Sequence, residues 1–306
     1  MNRPALILTT ALAPALWGTT YLTTTYALPA HHPLFTALMR ALPVGLLITL
    51  IFRQLPRGVW WWRAAVLGAL NIGLTFALLF IGAYRLPGGV AATISSTQPL
   101  MVALLGWPLL SLRPARQTLT AGLVGIVGVG MLVLGGHISL DPIGVFGAAT
   151  GGVATAAGVV MVKRWGRPEG VSVMAFTGWQ LVAGAVLLLP LDALFEGAPS
   201  HLSTLNVGGY LYLCLIGTAL AYSVWFRGIG KLPASSVAFL TLLIPLVATI
   251  AGFIVYRQSL SPIQLVGMAT VLGSIISAQR PTSQSRTARV AAKTHAPAVQ
   301  TAPGYY

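Results

Sequence analysis

The stretch "TISSTQPLMVAL", Thr93 to Leu104, decides how this chain reads. It sits inside a long apolar run yet holds two Thr, two Ser, a Gln and a Pro. A proline within a helix removes a backbone donor and crowds the preceding turn. Polar side chains in a bilayer are costly unless they face protein or water. The stretch therefore belongs beside a wet or well-packed interior, and the surrounding sequence says of what kind.

The surroundings are lipid-like. Of 306 residues, 56% are hydrophobic and only 7% charged, with mean hydropathy +0.83. Soluble domains carry about 25% charged residues. The net charge of +14 does not mark a nucleic-acid binder, because the basic residues are dispersed over short loops. The single cysteine, Cys214, excludes an internal disulfide and a cysteine-based zinc site. The N-terminal apolar run lacks a clear cleavage pattern and reads as a first span.

A spanning helix needs roughly 20 mainly apolar residues. Ten segments meet that length: 4–27, 33–52, 63–84, 89–110 and 117–135, then 142–162, 172–191, 205–226, 234–256 and 262–279. The predicted fold class is an all-α integral membrane protein of ten transmembrane helices. Residues 280–306 read as a disordered cytoplasmic tail. With the N-terminus in the cytoplasm, fifteen of the eighteen Lys and Arg lie on the cytoplasmic side. The outer loops then hold Arg85 and Arg257, with Asp141, Asp192 and Glu196. This bias predicts both termini inside. Trp60, Trp61 and Trp62 fall at the inner interface, where amphipathic rings anchor.

Shifting the chain by 146 residues aligns Phe80 with Phe226, Gly82 with Gly228, and Leu86-Pro87 with Leu232-Pro233. Pro99-Leu100 then meets Pro245-Leu246, and Gly106 meets Gly252. Each repeat holds five spans, an odd number, so the second enters the membrane from the opposite side. The expected units are residues 1–136 and 137–279, two inverted five-helix repeats. Inverted repeats are a construction of secondary transporters, with the site near the midplane between halves. Pro99 and Pro245 become repeat mates near the middle of spans four and nine. They are candidate hinges that bend their helices for gating.

These stretches resemble the drug/metabolite transporter superfamily, in its ten-helix form with two EamA-type repeats. The carriers are "LWGTTYLTTTYAL" (Leu16–Leu28), "LMRALPVGLL" (Leu38–Leu47), the "RLP…QPL" and "KLP…IPL" stretches, "AGLVGIVGVG" and "VGMATVLGS". The resemblance covers about residues 5–279. It implies a carrier of small metabolites, commonly an exporter of amino acids or related compounds, and is most similar to exporters of aromatic amino acids. One departure stands out: the Gly-Glu pair expected after the prolines is replaced by Ser111–Arg113 and Arg257–Ser259. A role of that glutamate cannot be carried over.

Candidate cavity residues follow from polarity and helical spacing. Trp17 and Tyr21 share one face of span one, with Thr20 and Thr24 beside them. Tyr222 and Trp225 are three apart in span eight, and Phe76 is the repeat mate of Tyr222. Asn71 lies mid-span, and Ser95 and Gln98 belong to the opening stretch. An aromatic stripe is more often packing than a ligand box. Arg40 is the one charge well inside a span. It can snorkel outward, cap carbonyls between helices, or meet a substrate carboxylate. Its approximate mate is Gln180. Gly122, Gly125 and Gly128 form a small-residue packing face.

No carboxylate lies deep in a span, and all five His fall in loops or the tail. Proton coupling and catalysis both need titratable groups here. The expectation is a non-enzymatic inner-membrane carrier. It exports small metabolites, amino acids with aromatic ones first, by alternating access without proton coupling. No cofactor or metal is expected. The partners are a small-molecule substrate and membrane lipid, not nucleic acid, and a monomer is the starting expectation. One alternative is a cation or multidrug efflux carrier, which needs an embedded acid. Another is a membrane enzyme or lipid-handling protein, which needs a catalytic cluster.

Overall fold

The computed structural model describes residues 2–86, 94–133, 141–256 and 261–280, and regular structure among them is helical throughout. In chain order these are α1 (Arg3–Gly18), α2 (Thr20–Ala27), α3 (Pro33–Phe52), α4 (Trp60–Gly68) and a π-helical turn (Ala69–Gly73). Next come α5 (Leu74–Arg85), α6 (Gln98–Leu110), α7 (Arg116–Val133), α8 (Pro142–Trp165) and α9 (Val173–Phe195). Then follow α10 (Thr204–Cys214), a second π-helical turn (Leu215–Leu220), α11 (Ala221–Lys231), α12 (Ala234–Leu240), α13 (Leu243–Tyr256) and α14 (Pro262–Gln279).

Eight helical stretches among the described residues are long and apolar enough to cross a bilayer. Gln98–Leu110 is a shorter apolar helix in the position of the fourth expected span. The first residues of that span, and the tail from residue 281, lie outside the described residues. Leucines such as Leu8, Leu47 and Leu50 are exposed, as lipid-facing residues should be. Trp61 and Trp62 are exposed too, while Trp60 turns inward, 6.0 Å from the Phe176 ring and 6.5 Å from Trp179.

Local chemistry sets the helix starts. Asn2 caps α1, and Asp141 caps α8 by accepting from Ile143 and Gly144 amides at 2.8 and 2.9 Å. Those two amides hold the Asp141 carboxyl below its ordinary range, Gly144 foremost. Ser203 and Ser261 begin α10 and α14 with capping boxes. The start of α3 is capped from far away: Glu196 accepts from the Leu34 and Phe35 amides at 2.7 and 3.2 Å. Burial pushes the Glu196 carboxyl up, and those two amides pull it back.

One boundary differs from the sequence expectation. Helix α9 continues past Leu191 to Phe195, so Asp192 belongs to the helix, buried, and not to an outer loop. Pro190 lies inside the helix without ending it.

The packing is exchanged between the two parts of the chain. Helix α3 lies along α9 and α7 along α14, while α1 packs on α11 and α13 and α8 packs on α5 and α6. The α1–α13 contact is close enough that a Cβ on Gly18 would sit 2.7 Å from Val247 Cβ. A Cβ on Gly128 of α7 would lie 3.0 Å from Val271 of α14. That glycine face also brings Ser274 to the Ala121 carbonyl at 2.6 Å.

Helical regularity breaks near one level of the bundle. Turns interrupt it at Thr19, at Ser96–Thr97 and at Thr241–Leu242, and the two π-helical turns lie in the third and eighth spans. The two prolines sit differently from the expectation of mid-helix bends. Pro99 lies in the first turn of α6 and Pro245 in the first turn of α13, each just after a break. A proline there costs no helical hydrogen bond, since first-turn amides have no intrahelical partner. The breaks are stabilised by hydroxyls: Thr97 donates to the Ile94 carbonyl at 2.7 Å and Thr241 to Ala238 at 2.6 Å.

Candidate functional site

The breaks surround a cavity of about 480 Å³. Helices α1 and α2 contribute Trp17, Thr20 and Thr24; α3 contributes Arg40, and the first π-helical turn Asn71. Thr75, Phe76 and Leu79 come from α5, and Ser95, Ser96 and Gln98 from the break before α6. Opposite are Gly151, Gly152 and Thr155 of α8, Tyr222 and Trp225 of α11, and Thr241, Ile244 and Pro245 at the last break. Irregular backbone at membrane depth is tolerated where it lines a cavity, because polar groups freed from the helix find water or protein there.

Of the residues expected from sequence, Trp17, Thr24, Arg40, Asn71, Phe76, Ser95, Gln98, Tyr222 and Trp225 all line this space. Pro245 also lines it, and Pro99 is buried away from it. Tyr21 lies in α2, but its side chain is outside the described residues.

Four rings form a continuous wall. Trp17 lies 4.9 Å from Tyr222 and 5.1 Å from Trp225, and Phe76 lies 6.1 Å from Tyr222. These separations suit edge-to-face and tilted pairs. Phe76 and Tyr222, repeat mates by sequence, thus meet edge to face, their planes 64° apart.

Arg40 does not snorkel. It is 3% exposed. Its Nε donates to Thr218 Oγ1 at 3.0 Å and its Nη2 to the Gly217 carbonyl at 2.9 Å. The guanidinium carbon stands 4.8 Å from the Phe76 ring centre, a cation–π distance. Trp17 Nε1 donates to the same Gly217 carbonyl at 3.0 Å. A π-helical turn offsets the hydrogen-bond ladder by one residue. Here Gly217 within that turn takes two side-chain donors. Gln180 does the corresponding work on the other side: its Oε1 accepts from Asn71 Nδ2, in the first π-helical turn, at 2.9 Å. Gly158 of α8 leaves room for Asn71, since a Cβ there would overlap the Asn71 amide.

Thr75 donates to the Leu70 carbonyl at 2.6 Å and meets the Thr155 hydroxyl at 2.9 Å. Among the described residues, two polar atoms in the lining are left over: the Gln98 amide nitrogen and the Thr20 hydroxyl are buried without a protein partner. The sequence reading missed Thr75, Thr155 and Thr241, and the α8 wall of Gly151 and Gly152. Those glycines make space by having no side chain, which no polarity count registers. The signal available was positional, because α8 opens the second repeat as α1 opens the first.

A family model described as the EamA-like transporter family matches residues 5–134 and 142–278. Protein PecM of Dickeya dadantii (strain 3937) is 42% identical over 278 residues, covering 91% of this chain and 93% of its own length. The transporter YvbV of Bacillus subtilis (strain 168) is 30% identical, covering 90% of each chain. The inner membrane transporter YedA of Escherichia coli (strain K12) is 27% identical over 85% of this chain and 86% of its own. A solved crystal structure superposes with a TM-score of 0.73 at 20% identity, over 96% of this chain and 100% of its own, and so shares the fold. The chain is a multi-pass membrane protein that belongs to the EamA-like transporter family, within the drug/metabolite transporter superfamily.

Proposed function

We propose that this protein is an alternating-access carrier, and not an enzyme, that exports small metabolites carrying an aromatic group and a carboxylate. Aromatic amino acids are the first class to test. The observation that supports this reading is the 480 Å³ cavity, walled by Trp17, Phe76, Tyr222 and Trp225 and holding Arg40 at its edge. Such a space is mainly apolar with a few oriented polar groups, the usual composition of a small-molecule site. A cation efflux carrier would need a carboxylate in this lining, and among the described residues the lining carries none.

Two further parts of the proposal concern mechanism. The two halves, residues 1–136 and 137–279, are inverted repeats in a ten-span bundle with both termini cytoplasmic, in the inner (plasma) membrane. The exchanged packing of α1 with α11 and α13, against α8 with α5 and α6, supports that symmetry. The breaks before Pro99 and Pro245 are the paired gates. Transport follows the substrate gradient without protons, because no carboxylate or histidine among the described residues lines the cavity.

The test is counterflow in proteoliposomes with labelled amino acids, with and without an imposed pH difference. Exchange of aromatic solutes at equal rates in both conditions is the expected result. Uphill accumulation driven by pH refutes the uncoupled mechanism, and no exchange of any solute refutes the carrier reading. A periplasm-active reporter fused after Arg280 should stay silent.

A further inference from the structure

We infer, building on the carrier reading above, that Gln98 and Thr20 are specificity-determining residues that take a neutral hydroxyl on the substrate's ring. Phenolic solutes are then preferred over the same skeleton without the hydroxyl. The ground is an inventory of the polar groups in the lining. Thr24, Thr75, Thr155 and Thr241 donate their hydroxyls to the carbonyls of Thr20, Leu70, Gly151 and Ala238, at 2.6 to 2.9 Å. The Asn71 amide donates to Gln180. Arg40 is held by Thr218, by the Gly217 carbonyl and against the Phe76 ring. Among the described residues, only the Gln98 amide nitrogen and the Thr20 hydroxyl line the cavity buried and without a partner.

The local backbone explains why these two are spared. A threonine in a helix commonly donates to the carbonyl three or four residues back. For Thr20, just after the break at Thr19, those carbonyls belong to Trp17 and Leu16. The Leu16 carbonyl already takes the Thr19 hydroxyl at 2.7 Å, and the Trp17 carbonyl takes the Thr19 amide. Gln98 is the first residue of α6. There the Leu100 and Met101 amides close onto the Thr97 carbonyl at 3.0 and 3.2 Å, and Pro99 has no amide. The first turn therefore asks nothing of the Gln98 side chain. Gln98 is 7% exposed, and what remains uncovered borders the cavity.

Both groups are neutral, and this sets the ligand chemistry. A carboxylate or ammonium brought against a neutral amide and a hydroxyl leaves an uncompensated charge out of water, which is costly. A paired hydroxyl carries no such cost. A primary amide donates at nitrogen and accepts at oxygen, and a hydroxyl does both. A phenol thus complements Gln98 and Thr20 whichever way its own proton points. A bare ring edge in the same place removes solvent from these atoms and returns no hydrogen bond. On an aromatic amino acid the charged groups sit at the head, and the neutral polar group is on the ring. Tyrosine and phenylalanine differ by that one hydroxyl. Sites that hydrogen-bond a substrate hydroxyl reject the analogue lacking it more strongly than an apolar pocket rejects a missing methylene.

The experiment measures counterflow of labelled tyrosine and labelled phenylalanine, each at trace concentration, in proteoliposomes holding the full chain. At trace level the ratio of rates is the ratio of kcat/KM. Tyrosine should exchange faster by about tenfold, the factor of one ordinary hydrogen bond. Gln98→Met, which keeps the length and removes the amide, should bring the two solutes within about twofold by slowing tyrosine alone. Thr20→Val, which keeps the shape and removes the hydroxyl, should cut the preference about threefold. A purely structural role for either residue slows both solutes alike and leaves the ratio standing. Equal rates on the parental chain, or a ratio that survives both substitutions, overturn the inference while the carrier reading stands. If neither solute nor any other amino acid is exchanged, the carrier reading falls and this inference with it. A Gln98→Met chain that fails to fold still leaves the parental ratio and Thr20→Val to decide.

Discussion

Two π-helical turns, Ala69–Gly73 and Leu215–Leu220, stand 146 residues apart and are braced in different ways. The first receives a neutral pair, Asn71 to Gln180 at 2.9 Å. The second receives a cation, Arg40, together with the Trp17 indole, both on the Gly217 carbonyl. In each case the brace comes from the second span of the opposite half, α3 or α9. The same backbone device thus serves two purposes. Where the brace is an amide it only ties helices together. Where it is a guanidinium it also places a charge in the cavity. A pseudo-symmetric frame can therefore carry an asymmetric site.

The largest effect should come from breaking the charged brace. Arg40→Ala removes the donors to Thr218 Oγ1 and the Gly217 carbonyl, leaving that carbonyl with the Trp17 indole alone of its two side-chain donors. The expected cost is about 3 kcal/mol, read as a lowered melting temperature, with transport reduced by more than about tenfold. A variant that transports at the parental rate would show that the two braces are equivalent. The neutral brace should be cheaper and should close as a cycle. Asn71→Leu or Gln180→Leu alone strands one buried amide, at about 1–3 kcal/mol. The double replacement should cost less than the sum of the two, because neither amide is then stranded. A strictly additive result would mean the 2.9 Å bond contributes nothing.

Pro99→Ala and Pro245→Ala should each change stability by less than about 1 kcal/mol, since both prolines occupy first turns. If the breaks beside them are paired gates, both variants slow transport and leave affinity largely unchanged. A slow Pro245→Ala with a parental Pro99→Ala would confine gating to the half whose proline touches the cavity. The smallest effect concerns the helix caps. Helix α1 begins on neutral Asn2 and α8 on ionised Asp141, whose folded-state pKa lies below the ordinary 3.8. The contribution of that cap is present above 3.8 and lost as pH falls through the lower folded value. Acidification should thus loosen the start of α8 and not α1, a difference that hydrogen exchange at Ile143 and Ala5 would show. Equal responses would remove the asymmetry.

Much of this arrangement was legible from residue types, for a physical reason. In lipid every polar side chain requires a partner, so Arg40, Asn71 and Gln98 advertise an interior, and the repeat alone aligns Phe76 with Tyr222. What was hidden belongs to the backbone. Nothing in "ALNIG" or "LIGTAL" marks a π-helical turn, because the extra residue alters the ladder and leaves the hydropathy untouched. The prolines announced irregularity and misplaced it, since a proline bends a helix from within and begins one from its first turn with equal ease. A span read as ending at Leu191 leaves Asp192 in an outer loop. Four further helical residues follow Leu191 in α9, and Asp192 among them is buried while Leu194 and Phe195 beyond it are exposed.

The π-helical turn between α4 and α5 also fixes the angular phase of everything that follows it. One residue of an α-helix turns the chain by roughly 100° about its axis. If the same residues ran as a uniform α-helix, without the wider turn at Ala69–Gly73, Phe76 would swing by about that angle, away from the cavity and toward a neighbouring helix or the lipid. The ring that faces both Arg40 and Tyr222 is aimed there by the wider turn, so a chain in which this helix became regular at unchanged length could keep its hydrophobic profile and lose one wall of its cavity.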